Sequence, residues 1–448
     1  MKILIFLLYI ICIYSLQPGA KIVINSAIFN QLKEYIIPKI DSKLANISIG
    51  NHTKRIPMFE VNFTNTFIRI KPLKSENVMI TFQNLSTKTD IYANGIDGNI
   101  SMDIDYEFTK IKDHIHCDAL LRSMYIDSII THEVTKDGSP SVQAKATLHM
   151  EPVKAELIFS GGISAKILEL LEPIIKIFLV EATDMGVNRY LYKWIEEEMN
   201  FLLSSFITEY KITETISLNY ELTSSSSYFD NALIIPISGY FYYKDSKFPP
   251  SQIPNPLPNF NTSLHKNAQF YISEYMINSV LNISFIHNIF SIAFEYNSLT
   301  PFDMNLSCNV TKSPPLFEFM NSKMTTNISF FCNVSALNRT EEKITLFNVY
   351  GSLAGNLDYF LTSGLDAIRL YINSLTGIEL AFIKPDEFNV DWFTNGSKDI
   401  ASYVFQLINL NYLSHEIPFP HINHFSILNI VVLDNLLYLG IYSDLSII

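Results

Sequence analysis

Between residues 56 and 152 apolar side chains recur at almost every second position, which constrains the fold of this chain more than any other feature. Successive side chains of a strand point to opposite faces of a sheet, so this period predicts strands with one covered face. Turn-forming residue pairs separate the runs, at Asn94-Gly95, Asp97-Gly98 and Asp137-Gly138. Strands joined by short turns are antiparallel, so we expect an antiparallel sheet here.

Two helical patterns flank this predicted sheet. The first apolar stripe consists of Ile28, Leu32, Ile36 and Ile40. The second consists of Ile167, Leu171, Ile174 and Phe178, and its pattern resumes as far as Phe206. Spacings of three and four residues place such side chains on one face of a helix. Each stripe either packs as solid core or lines a cavity, and the sequence leaves both interpretations open.

The same order of elements recurs, more loosely, in the second half of the chain. A strand and a helix are predicted through Tyr271, Tyr275 and Met276, then a series of strands, then a helix through Val404 and Ile408. A chain of 448 residues also exceeds what one hydrophobic core usually supports. We therefore predict a duplicated α+β architecture.

A proline-rich stretch, residues 248–260, separates the two halves and holds five of the nineteen prolines. Each proline fixes φ and removes a backbone donor, which excludes helix interior and central strand. The stretch is predicted to be an extended, semi-rigid connector, and an ordinary surface loop is the alternative. Residues 233–243, just before it, are predicted to join a sheet that both halves share.

The N-terminus favours secretion. Lys2 precedes an apolar run that ends near Leu16, which is short for a bilayer span of about 20 residues. A signal peptide cleaved near residues 15–17 is the preferred interpretation, and a signal anchor is the alternative. The mature chain is then expected to be soluble and extracellular or lumenal. Thirteen glycosylation sequons agree with this, at Asn46, Asn51, Asn62, Asn84, Asn99, Asn261, Asn282, Asn305, Asn309, Asn327, Asn333, Asn338 and Asn395.

Cysteine positions predict one disulfide. Cys308 and Cys332 both lie in strand-like runs, where adjacent antiparallel strands can bring them into bridging range. Cys117 is then left unpaired and buried.

Charge and motifs argue against several classes of function. The formal net charge of −12 disfavours nucleic acid as a partner and long-range attraction to anionic membranes. Nucleophile-elbow, P-loop, dinucleotide and zinc-protease motifs are absent, so we expect no enzyme, no cofactor and no metal. The pairs His114/His116 and His421/His424 could each assist a metal, but neither has a clear third ligand. Asp103 and Asp105 share a strand face and could act in acid–base chemistry, but a solvated strand face is the preferred interpretation.

Four segments resemble one family. They are PGAKIVINSAIFNQLKEYIIPKI, ISLNYELTSSSSYFDNALIIPISGYFYYKDSKFPP, NAQFYISEYMINSVL and IPFPHINHFSILNIVVLDNLLYLGIYSD. In this order they are similar to the mature N-terminus, central strands and linker, second-domain start and closing strands of the lipid-transfer and lipopolysaccharide-binding protein family. Its members include bactericidal/permeability-increasing protein, lipopolysaccharide-binding protein, phospholipid transfer protein and cholesteryl ester transfer protein.

The resemblance implies an α+β fold of two elongated antiparallel barrels, each with long helices, joined by a central sheet into a boomerang-shaped pseudo-dimer. It divides the chain into a signal peptide (1–17), an N-terminal lipid-binding barrel (18–220), central strands with the linker (221–260) and a C-terminal barrel (261–448). Each barrel would enclose an apolar tunnel for phospholipid acyl chains. The helix stripes supply the candidate lining residues, Ile28, Leu32, Ile36, Ile40, Ile167, Leu171, Ile174, Phe178, Tyr271, Tyr275, Met276, Val404 and Ile408.

Two departures from the family shape the functional hypothesis. No cysteine lies between residues 136 and 208, so the family's first-domain disulfide is absent. Residues 92–105, comparable to the cationic tip of endotoxin-binding members, contain no basic residue, and only Lys54 and Arg55 stand near another tip.

We therefore expect a secreted carrier or transfer protein for phospholipid or a related two-chain lipid, with membrane or lipoprotein surfaces as further partners. The alternatives are an innate-defence protein that binds lipopolysaccharide or bacterial envelopes, and a structural or adhesive glycoprotein without lipid transfer.

Overall fold

The computed structural model describes most of the chain between residues 18 and 447. The described ranges are 18–56, 59–108, 111–161, 165–244, 254–259, 261, 266–287, 291–296, 304–310, 314–320, 323–337, 343–362, 366–383, 409, 416–420, 425–434 and 438–447. Within them strands far outnumber helices, as the predicted α+β class requires.

The described chain begins with strand β1 (Ala20–Asn25) and helix α1 (Ala27–Leu44). The first sheet follows, with strands β2 (Ile47–Ile49), β3 (His52–Ile56), β4 (Phe59–Ile70), β5 (Val78–Phe82), β6 (Lys88–Phe108), β7 (Ile111–Val134), β8 (Pro140–His149) and β9 (Glu156–Ser160). Its order is β2-β4-β6-β7-β8, with β3 beside β4, β5 beside β6 and β9 beside β7. All these pairings are antiparallel, as the period of two predicts.

Two further helices, α2 (Ala165–Thr183) and α3 (Arg189–Leu203), follow the first sheet. A π-helical turn, Asp184–Asn188, joins them where the sequence predicts continuous helical periodicity. Gly186 in this turn lies against β2, where an added Cβ would come within 3.0 Å of Ile49 Cδ1. The turn thus permits close contact with the sheet and changes the helical register between α2 and α3.

The middle of the chain forms short strands, β10 (Glu209–Lys211), β11 (Ile216–Asn219), β12 (Ser227–Phe229), β13 (Ala232–Ile237) and β14 (Tyr240–Tyr243). Strands β10, β11 and β14 make a three-stranded sheet. Residues 233–243, predicted to join the shared sheet, therefore contribute to two strands. Gly239, with a φ of 57°, turns the chain between β13 and β14. A side chain here would meet the backbone nitrogen of Ala20 at 2.7 Å, so the turn depends on glycine.

The described residues of the second half form strand β15 (Ala268–Ser273), helix α4 (Glu274–Ile286) and nine more strands. They are β16 (Ser291–Tyr296), β17 (Met304–Val310), β18 (Leu316–Met320), β19 (Lys323–Leu337), β20 (Lys343–Leu361), β21 (Ala367–Ile383), β22 (Ile417–Pro418), β23 (Phe425–Asp434) and β24 (Tyr438–Ile447). The second large sheet has the order β16-β17-β19-β20-β21-β22, with β18 beside β19. Cys308 on β17 lies opposite Cys332 on β19, and the two form the predicted disulfide.

A central sheet combines the start, middle and end of the chain in the order β12-β13-β1-β15-β24-β23. Strand β1 lies between β13 and β15, so that Ile22 faces Ile235 on one side and Phe270 on the other. Strand β13, from before the proline-rich stretch, and β15, from after it, thus share one sheet. This agrees with the predicted shared sheet for β13, whereas β14 belongs to the three-stranded sheet.

Part of the proline-rich stretch packs on the central sheet. Leu257 is buried in a cluster with Val23 and Tyr271. The Lys21 ammonium donates hydrogen bonds to Leu257 O (2.8 Å), Pro258 O (3.1 Å) and Asn259 Oδ1 (3.2 Å). Burial lowers the pKa of Lys21 to about 8. The segment 254–259 is thus bonded to β1, as a structured connector would be.

In the described helices, no stretch combines the length and the apolarity that crossing a bilayer requires.

Candidate functional site

An apolar cavity, called here the outer cavity, lies between helices α1 and α3 and the first sheet. It holds about 840 Å³ of space between side chains, its open mouth included. Helix α1 contributes Phe29, Leu32, Ile36, Ile37 and Ile40, and helix α3 contributes Leu191, Ile195 and Met199. The sheet contributes Val78, Ile80, Ile91, Ala93, Ile126 and Ile130.

A second apolar cavity, called the inner cavity, adjoins the first on the side of the central sheet. It holds about 830 Å³, again with its mouth. The two cavities share Phe29, Leu32, His132 and Met199 as wall residues. The inner cavity continues to Ile24 on β1, to Leu233 and Ile235 on β13, and to Leu202, Leu203 and Phe206 at the end of α3. Together they follow α1 from the first sheet to the central sheet.

The four predicted lining residues of α1 all lie on these cavities. Leu32, Ile36 and Ile40 line the outer cavity, and Ile28 and Leu32 line the inner one. Their spacing of four residues keeps them on one helix face, which here faces the cavities. Their role in lipid binding stays a prediction.

The predicted stripe of α2 packs as solid core instead. Leu171, Ile174 and Phe178 are buried in the cluster beneath the first sheet, with Ile167 partly buried against it. The ring of Phe178 stacks on Phe63, with 3.8 Å between ring centroids. These side chains are absent from the walls of both cavities as described.

The candidates of the second half do not meet at these cavities. Tyr275 and Met276 are buried in the large cluster of the central and second sheets. Tyr271 lies on the other face of the central sheet, edge-on to Tyr438 and Tyr442. Val404 and Ile408 lie outside the described residues.

Helix α3 supplies several lining residues that the candidate set lacks, and the sheets supply the others. Its apolar periodicity is visible in the sequence from Tyr190 to Phe206. The sequence does not show that the π-helical turn lets α2 pack as core while α3 faces the cavities. The apolar periodicity therefore predicted the helix α3, but it did not show whether its apolar face lines a cavity or packs in a core.

A buried polar group interrupts the apolar wall. Thr89 on β6 and His132 on β7 both line the outer cavity. Thr89 Oγ1, His132 Nε2 and Tyr228 OH form a triangle with sides of 3.2, 2.9 and 2.6 Å. Burial lowers the pKa of His132 to about 4, so its ring is neutral near pH 7. Burial also raises the pKa of Tyr228.

Each described cavity wall includes one charged side chain. The Lys33 ammonium, on the outer cavity, donates to Ser75 O (3.3 Å) and Val78 O (3.0 Å). Glu133, on the inner cavity, accepts a hydrogen bond from Gln143 Nε2 at 2.9 Å. Both groups are thus already bonded within the protein.

The histidine and aspartate side chains of strands β6 and β7 form two cross-strand hydrogen-bonded pairs on the first sheet. His114 Nδ1 lies 2.7 Å from Asp105 Oδ1, and His116 Nδ1 lies 2.7 Å from Asp103 Oδ1. The hydrogen bond to Asp105 raises the pKa of His114, and hydrogen bonds from Asn65 and His116 lower that of Asp103. Across the described residues no cluster of three or more His, Cys, Asp or Glu side chains could hold a metal.

The remaining cysteine and the sequons lie as follows. Cys117 is unpaired and buried, and burial raises its pKa to about 12. Among the sequon asparagines with described side chains, none is buried. Asn338 and Asn395 lie outside the described residues. Glycosylation of any of them stays a prediction.

Comparisons with known proteins give a sequence relative and a solved structure of similar fold. The chain is 25% identical over 295 residues to the human "BPI fold-containing family C protein", covering 64% of this chain and 53% of that protein, about half its length. Its structure matches that of lipopolysaccharide binding protein with a TM-score of 0.58 and 12% identity, over 96% of this chain and 99% of the other. No family model matches the sequence. At 12% identity the structural match shows the shared fold.

Proposed function

We propose that this chain, a BPI/LBP-like protein by sequence similarity and by fold, binds lipid and holds acyl chains in the outer and inner cavities. We further propose that it acts as a carrier or transfer protein for phospholipid or a related two-chain lipid. The observation that supports this is the pair of adjoining apolar cavities along α1. Each CH₂ group taken from water contributes about 0.8 kcal/mol, so an acyl chain binds there without any catalytic group.

The proposal extends to the layout of the chain. Residues 18–220 would form one lipid-binding barrel and residues 261–448 a second, with residues 221–260 between them and residues 1–17 as a signal peptide. The shared central sheet supports such a joined arrangement. The Cys308–Cys332 disulfide supports an oxidising compartment, and we propose that the protein acts outside the cell or in a lumen.

Binding of lipopolysaccharide is the second candidate, because the protein whose fold this chain shares is named for it. The pairing of the basic side chains on the first sheet favours the lipid-carrier function over lipopolysaccharide binding. The Lys54 ammonium pairs with Glu181, and Arg55 Nε lies 2.9 Å from Glu60 Oε2. Since these cations already have carboxylate partners, they offer little to the phosphates of lipid A.

Native mass spectrometry of the purified full-length protein tests the proposal. We expect stoichiometric phospholipid in the wild type and transfer of labelled phospholipid between neutral vesicles. Leu32→Glu places a charge on the wall shared by both cavities and should remove most of the bound lipid. The matched control is Ile177→Glu on α2, where the side chain is 53% exposed, and this variant should retain its lipid.

Two results would count against the proposal. Wild-type protein without bound lipid, or full retention by Leu32→Glu, would show that the cavities do not hold acyl chains. Binding of lipopolysaccharide that is stronger than binding to neutral vesicles and weakens with salt would place the second candidate first.

A further inference from the structure

Strand β7 carries polar side chains into the apolar outer cavity. Ser128, Ile130 and His132 alternate along the strand and all line this cavity. Thr89, on the neighbouring strand β6, lies directly opposite Ile130. Because His132 also lines the inner cavity, this polar patch lies where the two cavities adjoin, with apolar wall on both sides.

Among the residues that the structure describes, the Ser128 hydroxyl has no hydrogen-bond partner. Its side chain is 1% exposed, and no described group bonds to its Oγ. Its cross-strand neighbours are Ile91 on β6 and Ala146 on β8, and neither side chain has a polar atom. A buried hydroxyl without a partner costs about 1–3 kcal/mol, so an incoming oxygen that bonds to it relieves that cost.

The other members of the patch are uncharged. Thr89, His132 and Tyr228 satisfy one another in the triangle described above, and the imidazole is neutral near pH 7. The charged groups on the two cavities, Lys33 and Glu133, are held by other hydrogen bonds. A carboxylate placed at the patch would therefore lose its hydration without gaining a counter-charge. A neutral oxygen needs no counter-charge there.

We propose that the two cavities select an elongated apolar ligand with one uncharged oxygen group, a hydroxyl or a carbonyl, flanked by hydrocarbon on both sides. The Ser128 hydroxyl bonds this oxygen, while the hydrocarbon arms occupy the outer and inner cavities. This inference rests on the proposed function, because it requires that the cavities hold lipid.

The test uses four ligands of one chain length, added to the delipidated full-length protein. They are an alkane, the alcohol with a mid-chain hydroxyl, the ketone with a mid-chain carbonyl and the branched acid with a mid-chain carboxylate. We expect the alcohol and the ketone to bind about tenfold more tightly than the alkane, and the acid to bind most weakly near pH 7. Equilibrium partition followed by native mass spectrometry gives the four affinities.

Two variants assign the selectivity to the patch. Ser128→Ala should bring the alcohol and the ketone to within about twofold of the alkane while leaving alkane binding near the wild-type level. Ile130→Val trims an apolar wall residue of the same strand, so it should weaken all ligands by a similar factor and preserve their order.

The outcomes separate this inference from the proposed function. If the alkane, alcohol and ketone bind equally and Ser128→Ala changes nothing, the selectivity is wrong and the lipid-holding cavities stand. A preference for the acid would also overturn it. If no ligand binds to the wild type, both proposals fail.

Discussion

Acidification should weaken the fold through His132. This side chain is 9% exposed, and burial lowers its pKa from the ordinary value of 6.5 to about 4. In the protonated ring Nε2 can only donate, so it can no longer accept a hydrogen bond from Thr89 or Tyr228. Since the folded-state pKa is the lower one, the unfolded chain binds more protons between these values. The contribution of His132 is present above pH 6.5 and is lost as the pH falls toward 4.

The size of this loss follows from the two pKa values. Between about pH 7 and about pH 5 the linkage relation gives a loss of about 2 kcal/mol in the free energy of unfolding. Other groups titrate in the same range, so the measured quantity is a difference between proteins. His132→Gln does not titrate, and it should therefore lose about 2 kcal/mol less than the wild type over this interval.

Urea unfolding at the two pH values measures this difference. In a Trp392→Phe background, the fluorescence of Trp194, which packs against the core of the first sheet, reports the transition. His114→Gln is the control, because Asp105 raises the pKa of exposed His114. A raised folded-state pKa changes the free energy of unfolding in the opposite direction, so His114 adds a small stabilisation as the pH falls. If the wild type and His132→Gln respond to pH within about 0.5 kcal/mol of each other, the buried neutral histidine is refuted.

Two further substitutions test the central sheet. Gly19→Ala should destabilise the protein by about 3 kcal/mol or more, because the added Cβ would collide with the backbone oxygen of Ser238. The control Gly50→Ala, where no atom lies within 4 Å of the added Cβ, should change stability by less than about 1 kcal/mol, and equal urea midpoints for the two variants would contradict this. Lys21→Met removes three hydrogen bonds to segment 254–259 and should raise the rate of chymotrypsin cleavage at the adjacent Phe260–Asn261 bond about tenfold, as mapped by mass spectrometry. An unchanged rate would show that Lys21 does not hold the linker.

The periodicity of apolar residues predicted those features that depend only on the geometry of a single strand or helix. The period of two in the first sheet and the four-residue spacing of the α1 stripe are properties of single elements, and each element buries the face that its pattern indicates. The disulfide followed from two strand-like cysteine runs in the same way. The α+β class is confirmed for these reasons.

Features that depend on contacts between residues distant in the chain could not be predicted from the sequence. The division of residues 233–243 into β13 and β14 depends on the approach of Gly239 to Ala20, which is distant in sequence. Helix α3 lines the cavities while the stripe of α2 is buried in the core, and this difference depends on the π-helical turn and its contact with β2. The polar patch joins Thr89, His132 and Tyr228 from separate strands, and none of these residues has a sequence signal of its own.

The position of β1 at the middle of the central sheet has a consequence for synthesis on the ribosome. Its partners β13 and β15 are made more than 200 residues later, and β24, which pairs with β15, is made later still. Until β13 and β15 have been made, β1 is an apolar strand with two unpaired edges. Such a strand is prone to pairing with other chains. We expect the first sheet to fold early from near-neighbour strands, while the central sheet forms late and makes the nascent chain dependent on chaperones.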